Sequence, residues 1–231
     1  MLTLEQLRVV QDEFCLTADL TIETGQIAAV IGPSGGGKST LLSVIAGFIS
    51  LTYGTVKWQG NSLNKILPGE RPITTVFQDH NLFPHLTAFE NVALGVNPSM
   101  RLNHGDTARV QKAMESVDLG GFETRKPAAL SGGQASRVVL ARVLVRDKPL
   151  LLLDEPFAAL GPALRCEMLD LVAELAKKGG ATVLMVTHNP EDAIRIASQT
   201  IYVEGGIVEK PVGTDLLMKN PPEALRVYLG R

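Results

Sequence analysis

Positions 32–39 read GPSGGGKS, a glycine-rich run that ends in a lysine and a hydroxyl residue. Glycines without Cβ atoms let successive backbone N–H groups curl around phosphate oxygens. A helix that starts directly after them adds partial positive charge. Lys38 is placed to reach the β- and γ-phosphates of a nucleoside triphosphate, and Ser39 to offer its hydroxyl to Mg²⁺. The competing reading is a glycine-rich turn beside a solvated lysine. It loses weight because the run stands between a strand-like QIAAVIG (26–32) and KSTLLSVIAGF (38–48), whose apolar residues have helical spacing.

Two further groups could do chemistry. LLLLDEP (150–156) is an apolar strand ending in two acids, and such a strand end is where an α/β sheet presents its site. Asp154 is suited to hold Mg²⁺ through its water shell, and Glu155 to polarise an attacking water. Alone, the pair would serve equally well as a solvated turn before Pro156; beside a phosphate loop the chemical reading gains. LSGGQ (130–134) places Ser131, Gly132 and Gly133 before ASRVVLARVLV, which makes a second helix N-terminus with exposed amides. A simple cap explains Ser131 but not the glycine pair. Two anion cradles in one chain suggest that one serves a neighbouring subunit's nucleotide.

These groups need a scaffold, and the hydrophobic pattern supplies one. Residues 2–10 and 15–23 read as strands of a β-rich lobe, with short strands at 54–59 and 74–77 and Gly47 closing the helix begun at Lys38. Between 81 and 105 the pattern breaks around Pro84 and Pro98. Asp106 then reads as the N-cap of a helix through Leu119, with Val110, Ala113, Met114 and Val117 on one face. Roughly 80–145 is expected to be a helical insertion. Beyond it strand and helix alternate: LLLLDEP, a helix over 162–178, TVLMVTH, a helix after Pro190 and a hairpin in IYVEGGIVEK. All-apolar runs such as Leu150–Leu153 fit a parallel sheet covered on both faces. The expected fold class is α/β, with an N-terminal antiparallel β lobe and the helical insertion added to the core.

Composition narrows the partners. The 231 residues, 45% hydrophobic and 20% charged, suffice for one substantial core, or one core with a smaller lobe. With 22 basic against 24 acidic residues the net charge is −2, without the basic excess of a nucleic-acid binder. Cys15 and Cys166 lie far apart and form no CxxC pair, which argues against a disulfide framework or a zinc site. The opening MLTLEQLRVVQDE meets charge too early for a secretory signal. No run of about 18 apolar residues is present, so any membrane role is expected to pass through a partner.

The ordered series GPSGGGKST, VFQ, LSGGQ, LLLLDEP and TH resembles the ABC transporter ATPases, and the resemblance covers nearly the whole chain. It implies a P-loop NTPase core that binds ATP with Mg²⁺, and a head-to-tail dimer that sandwiches two ATP. Gly32, Pro33, Ser34, Gly35, Gly36, Gly37, Lys38, Ser39 and Thr40 of one subunit would face Ser131, Gly132, Gly133 and Gln134 of the other. Gln78 would be the glutamine touching Mg²⁺ and the lytic water, and His188 the switch histidine near the γ-phosphate. Taken alone, each would more often be structural. The implied catalytic set is thus Glu155, His188 and Gln78, and the implied metal set Ser39, Gln78 and Asp154. The implied partners are a second copy of the chain, transmembrane permease subunits and, indirectly, a periplasmic or extracellular solute-binding protein. The implied place is the cytoplasmic face of the plasma (inner) membrane.

Within the family, 81–103 and 157–169 are similar to the thiamine-importing branch. A chain stopping at Arg231 also fits a cassette without the C-terminal regulatory domain of many importer ATPases. An importer for another small solute or a metal ion is the alternative. A soluble ABC ATPase acting on nucleic acid or ribosomes would usually carry coiled-coil, zinc or duplicated-domain insertions. A small-molecule kinase would leave LSGGQ and His188 without a role. Two departures from the family pattern stand out. No aromatic occupies Val10–Gln11, where an adenine-stacking ring is expected, and Phe14 is the nearest candidate. In AALGPALR (158–165), Ala158 and Gly161 replace a serine and an aspartate expected at the dimer interface.

Overall fold

The computed structural model describes residues 1–77 and 82–228. The β-rich lobe begins with an antiparallel hairpin of β1 (Leu2–Gln11) and β2 (Phe14–Ile22), to which β4 (Tyr53–Trp58) and β5 (Asn61–Ser62) add on the β1 side. Strict alternation along β2 buries Leu16, Ala18, Leu20 and Ile22 on one face, the pattern of a half-covered antiparallel strand.

The second half of the sheet is parallel: β9 (Gln199–Glu204), β3 (Ile27–Ile31), β8 (Thr182–Val186), β7 (Leu150–Asp154) and β6 (Ile73–Val76), in that spatial order. In β7, Leu150 and Leu152 pack with α1 (Lys38–Ala46) on one side. Leu151 and Leu153 pack on the other, with α4 (Gly132–Arg146) and α5 (Pro162–Gly179). Coverage on both faces is why four successive leucines are buried. The two halves are joined by β10 (Ile207–Val208), antiparallel to β9 and parallel to β2. The β9–β10 turn uses Gly205 and Gly206 at φ +54° and +81°, and a Cβ on Gly206 would stand 1.9 Å from the Cys15 carbonyl oxygen.

The stretch expected to be helical holds α2 (Ala88–Ala93), α3 (His104–Glu115) and α4, packed on one another. Asp106 is not the N-cap of α3. That position is Asn103, whose Oδ1 accepts the Asp106 N–H at 2.9 Å while the Asp106 carboxylate accepts the Asn103 N–H at 3.1 Å. Aspartate serves both positions of such a box, and this ambiguity moved the expected start three residues downstream. The helix also ends at Glu115, short of Leu119. Thr87 and Glu90 form a second capping box that starts α2, which has too few turns to show a period in sequence. After β8 come α6 (Pro190–Ile196), β11 (Val212–Gly213) beside β9, α7 (Thr214–Lys219) and α8 (Glu223–Tyr228). Among the described residues no helix is long and apolar enough to cross a membrane.

Candidate functional site

Three parallel strands deliver the site at their carboxyl ends. From β3 the chain enters the glycine loop with Gly32 at φ +148°, and a Cβ there would lie 1.9 Å from the Val203 carbonyl oxygen of β9. Gly37 caps α1 at φ +109°, and a side chain on it would meet Leu16 Cδ1 at 2.7 Å and Phe14 Cζ at 2.9 Å. The loop is therefore pressed against β2 and β9, and a cleft opens beside it. The cleft there has a volume of about 300 Å³ and is walled by Phe14, Ser34, Gly35, Gly37, Lys38, Ser39, Thr40 and Glu155.

Lys38 is only 7% exposed, and its Nζ donates to the carbonyls of Gly32 and Pro33, both at 2.8 Å. Burial lowers its pKa, against the pull of Glu155 and Asp154. Asp154 ends β7, where the Ser39 hydroxyl hydrogen-bonds to it. Burial, with the Glu155 charge adding, raises the Asp154 pKa; the Ser39 hydrogen bond and Lys38 pull the other way. A desolvated carboxylate beside a hydroxyl is a hard oxygen donor set of the kind that fits Mg²⁺, which uses one or two carboxylates together with phosphate oxygens.

Glu155 leaves the strand direction at φ +46°, its N–H bonded to Val186 O of β8 at 3.1 Å. The turn separates the two acids. Asp154 faces Ser39, while Glu155 Oε2 lies 3.1 Å from Nδ1 of His188, just beyond the end of β8. Of the sequence-derived residues, Lys38, Ser39 and Glu155 thus wall one cleft, with Asp154 joined to it through Ser39 and His188 through Glu155. Gln78 lies outside the described residues.

Ser131, Gly132, Gly133 and Gln134 do not wall this cleft. Ser131 and Gln134 form a capping box at the start of α4, with the Gln134 N–H on Ser131 Oγ at 3.3 Å and the Ser131 N–H on Gln134 Oε1 at 3.0 Å. A Cβ on Gly133 would sit 2.7 Å from Leu164 of α5, so that glycine has a packing reason that the sequence did not reveal. Gly132 is exposed at the helix start.

Sequence reasoning missed a second concavity. A groove of about 410 Å³ between β6 and α4 is lined by Phe77, Leu82, Phe83 and Leu94 and carries Arg142 and Arg146 at one wall. Burial, then the neighbouring Arg146 charge, lowers the Arg142 pKa. The wholly buried Asn91 holds Phe83 in place from both sides, through its Oδ1 on Phe83 N–H and its amide on Phe83 O. Only the spacing of the two arginines, four apart on a helix, hinted at it.

The sequence model of the ABC transporter family matches residues 16–158, a span holding the glycine loop, LSGGQ and both acids. The chain belongs to this family. Over its full length the cassette is 56% identical to a protein of Cereibacter sphaeroides called thiamine import ATP-binding protein ThiQ, all of which is covered. It is 54% identical to the Ruegeria protein of that name, again with both chains fully covered. Among solved structures, it matches a dimeric ATP-binding cassette in a post-hydrolysis state bound to ADP and Pi. That match has a TM-score of 0.79 and 32% identity, over 93% of this chain and 99% of the other. A nucleotide-free cassette matches with a TM-score of 0.88 and 25% identity, over 100% and 99% of the two chains.

Proposed function

We propose that this cassette hydrolyses ATP to drive a thiamine importer. The observation that carries the reading is the meeting of Lys38, Ser39, Asp154, Glu155 and His188 at the carboxyl ends of β3, β7 and β8. The full-length likeness to thiamine import proteins supports the cargo.

The loop amides and the start of α1 receive the β- and γ-phosphates, and Lys38 turns from the two carbonyls it now holds to the incoming phosphate oxygens. Ser39 and Asp154, with Gln78, would hold Mg²⁺, which when bound neutralises charge on the phosphate oxygens. Glu155 accepts a hydrogen bond from the attacking water and takes its proton as the water adds to the γ-phosphorus, and His188 orients that carboxylate through its hydrogen bond to Oε2. Phe14 walls the cleft, and with no aromatic at Val10–Gln11 to stack on adenine the triphosphate supplies most of the affinity.

The second copy of the chain supplies Ser131, Gly132, Gly133 and Gln134 to the opposite face of the nucleotide, since those amides sit at a helix start away from their own cleft. The dimer works as one ABC ATPase domain per chain, with the helical part spanning roughly 80–145. Permease subunits at the cytoplasmic face of the membrane take the Phe77–Phe83 groove, where Arg142 and Arg146 favour an apolar segment bearing an acid. The test is uptake. Deleting the gene should impair accumulation of labelled thiamine at low external concentration, and the Glu155→Gln gene should not restore it. Unimpaired uptake in a strain with no other thiamine transporter would rule out the cargo.

A further inference from the structure

We infer that Arg165 and Asp192 are positioning residues for hydrolysis: with Thr187 they lock the turn that presents His188 to Glu155. The inference rests on the roles just given to His188 and Glu155. Arg165 lies one turn into α5, its N–H on Gly161 O at 2.9 Å. Its guanidinium crosses to α6, where Nη2 donates to Asp192 Oδ2 at 2.5 Å. The same oxygen accepts the Thr187 hydroxyl at 2.5 Å, and that hydroxyl accepts the Asn189 N–H at 3.1 Å. Side-chain exposure is 14% for Arg165 and 8% for Asp192. The two neighbours of His188 are therefore pinned through one buried carboxylate oxygen. Thr187 is pinned again through its backbone N–H on Val30 O at 3.1 Å, on the strand that feeds the glycine loop.

Adhesion of α6 to α5 does not explain this arrangement. Arg195 already bridges to Asp170 through two hydrogen bonds at 2.7 and 2.6 Å on the exposed side of the same helix pair. A buried ion pair is also weak evidence for stability, because well-packed apolar residues of similar volume often serve as well. What an apolar pair cannot do is orient the Thr187 hydroxyl, and with it the turn 187–189. Arg165 uses a single nitrogen toward Asp192, and its buried Nε has no hydrogen-bond partner among the described residues. A lysine could therefore make the same contact.

The test is steady-state ATP hydrolysis by the purified full-length protein, with melting temperature measured beside it. Arg165→Met with Asp192→Leu removes both charges together and leaves neither unpaired. This double variant should keep its melting temperature and its KM for ATP to within about twofold, while kcat falls about tenfold or more through misplacement of His188. Thr187→Val should do the same, and Thr187→Ser and Arg165→Lys should recover most of the loss. Asp170→Ala, which cuts the exposed bridge, should leave kcat unchanged. A folded double variant with normal kcat would overturn the inference, as would failure of both conservative variants to recover. His188→Ala and Glu155→Gln are measured in parallel. If either turns over normally, the reading of the site fails; if both are inactive and the double variant is not, only the positioning role fails.

Discussion

Glu155 occupies a left-handed backbone conformation that costs a non-glycine residue about 1–2 kcal/mol. The strain sits where two adjacent acids must face different partners, one Ser39 and one His188. Glu155→Gln keeps shape and backbone but removes the charge that polarises water, so ATP binding should persist while turnover is lost. Wild-type hydrolysis rates in that variant would remove Glu155 from the mechanism. Asp154 carries a different cost. Its pKa is raised in the folded chain, chiefly by burial, so between the unfolded and folded values the native state holds more protons than the unfolded one. Stability from this group therefore falls as pH rises through that window, and the penalty is complete above it. Asp154→Asn should melt higher than wild type at pH 7 in EDTA without nucleotide. The advantage should fade as pH drops toward about 4, the ordinary aspartate value. A lower melting temperature at pH 7 would contradict the electrostatic account.

At the scale of elements, α5 separates fold from function at one residue. Gly161 is its N-cap with φ −64° and ψ 158°, no side-chain cap bond, Pro162 at the first helical position and open space where a Cβ would stand. Gly161→Asp should change stability by only a few tenths of a kcal/mol, since both residues are acceptable caps. In calorimetry the melting temperature should stay within about 2 °C. ATPase activity or its cooperativity should rise as a charged contact across the dimer is restored; unchanged kinetics would mean that this loop does not limit coupling. This cap was legible in sequence because glycine, proline and an apolar period coincide there. The face that α5 buries was only partly legible. The spacing predicts a buried face of Leu164, Met168, Leu171, Val172 and Leu175. Met168 and Val172 are buried, Leu164, Leu171 and Leu175 pack from the rim, and Leu169 and Ala176 are buried outside that expectation. A helix wedged beneath both α4 and the sheet has a wider buried arc than one stripe suggests.

For the whole molecule, the decisive property is that the Ser131 helix start and the Lys38 cleft do not meet within one chain. Mixing Ser131→Arg with Lys38→Ala should yield heterodimers with one doubly damaged site and one intact site. Partial recovery of ATPase activity is expected if one intact site suffices. Mixed dimers verified by mass spectrometry yet wholly inactive would argue against the sandwich. The same geometry leaves the groove lined by Phe77, Phe83 and Leu94 on the flank of α4.

The glycine loop, the paired acids and the apolar strands of the parallel half of the sheet were legible in sequence alone, because each rests on local rules. A glycine loop between strand and helix, acids at a strand end and four consecutive leucines each carry their meaning within a few residues. Tertiary structure alone decided what depends on residues distant along the chain. Val203 forbids a side chain at Gly32, and Leu164 crowds Gly133. Asp192 gathers Arg165 and Thr187 onto one oxygen. No window of sequence contains those pairs, because they meet only through the close packing of the folded chain.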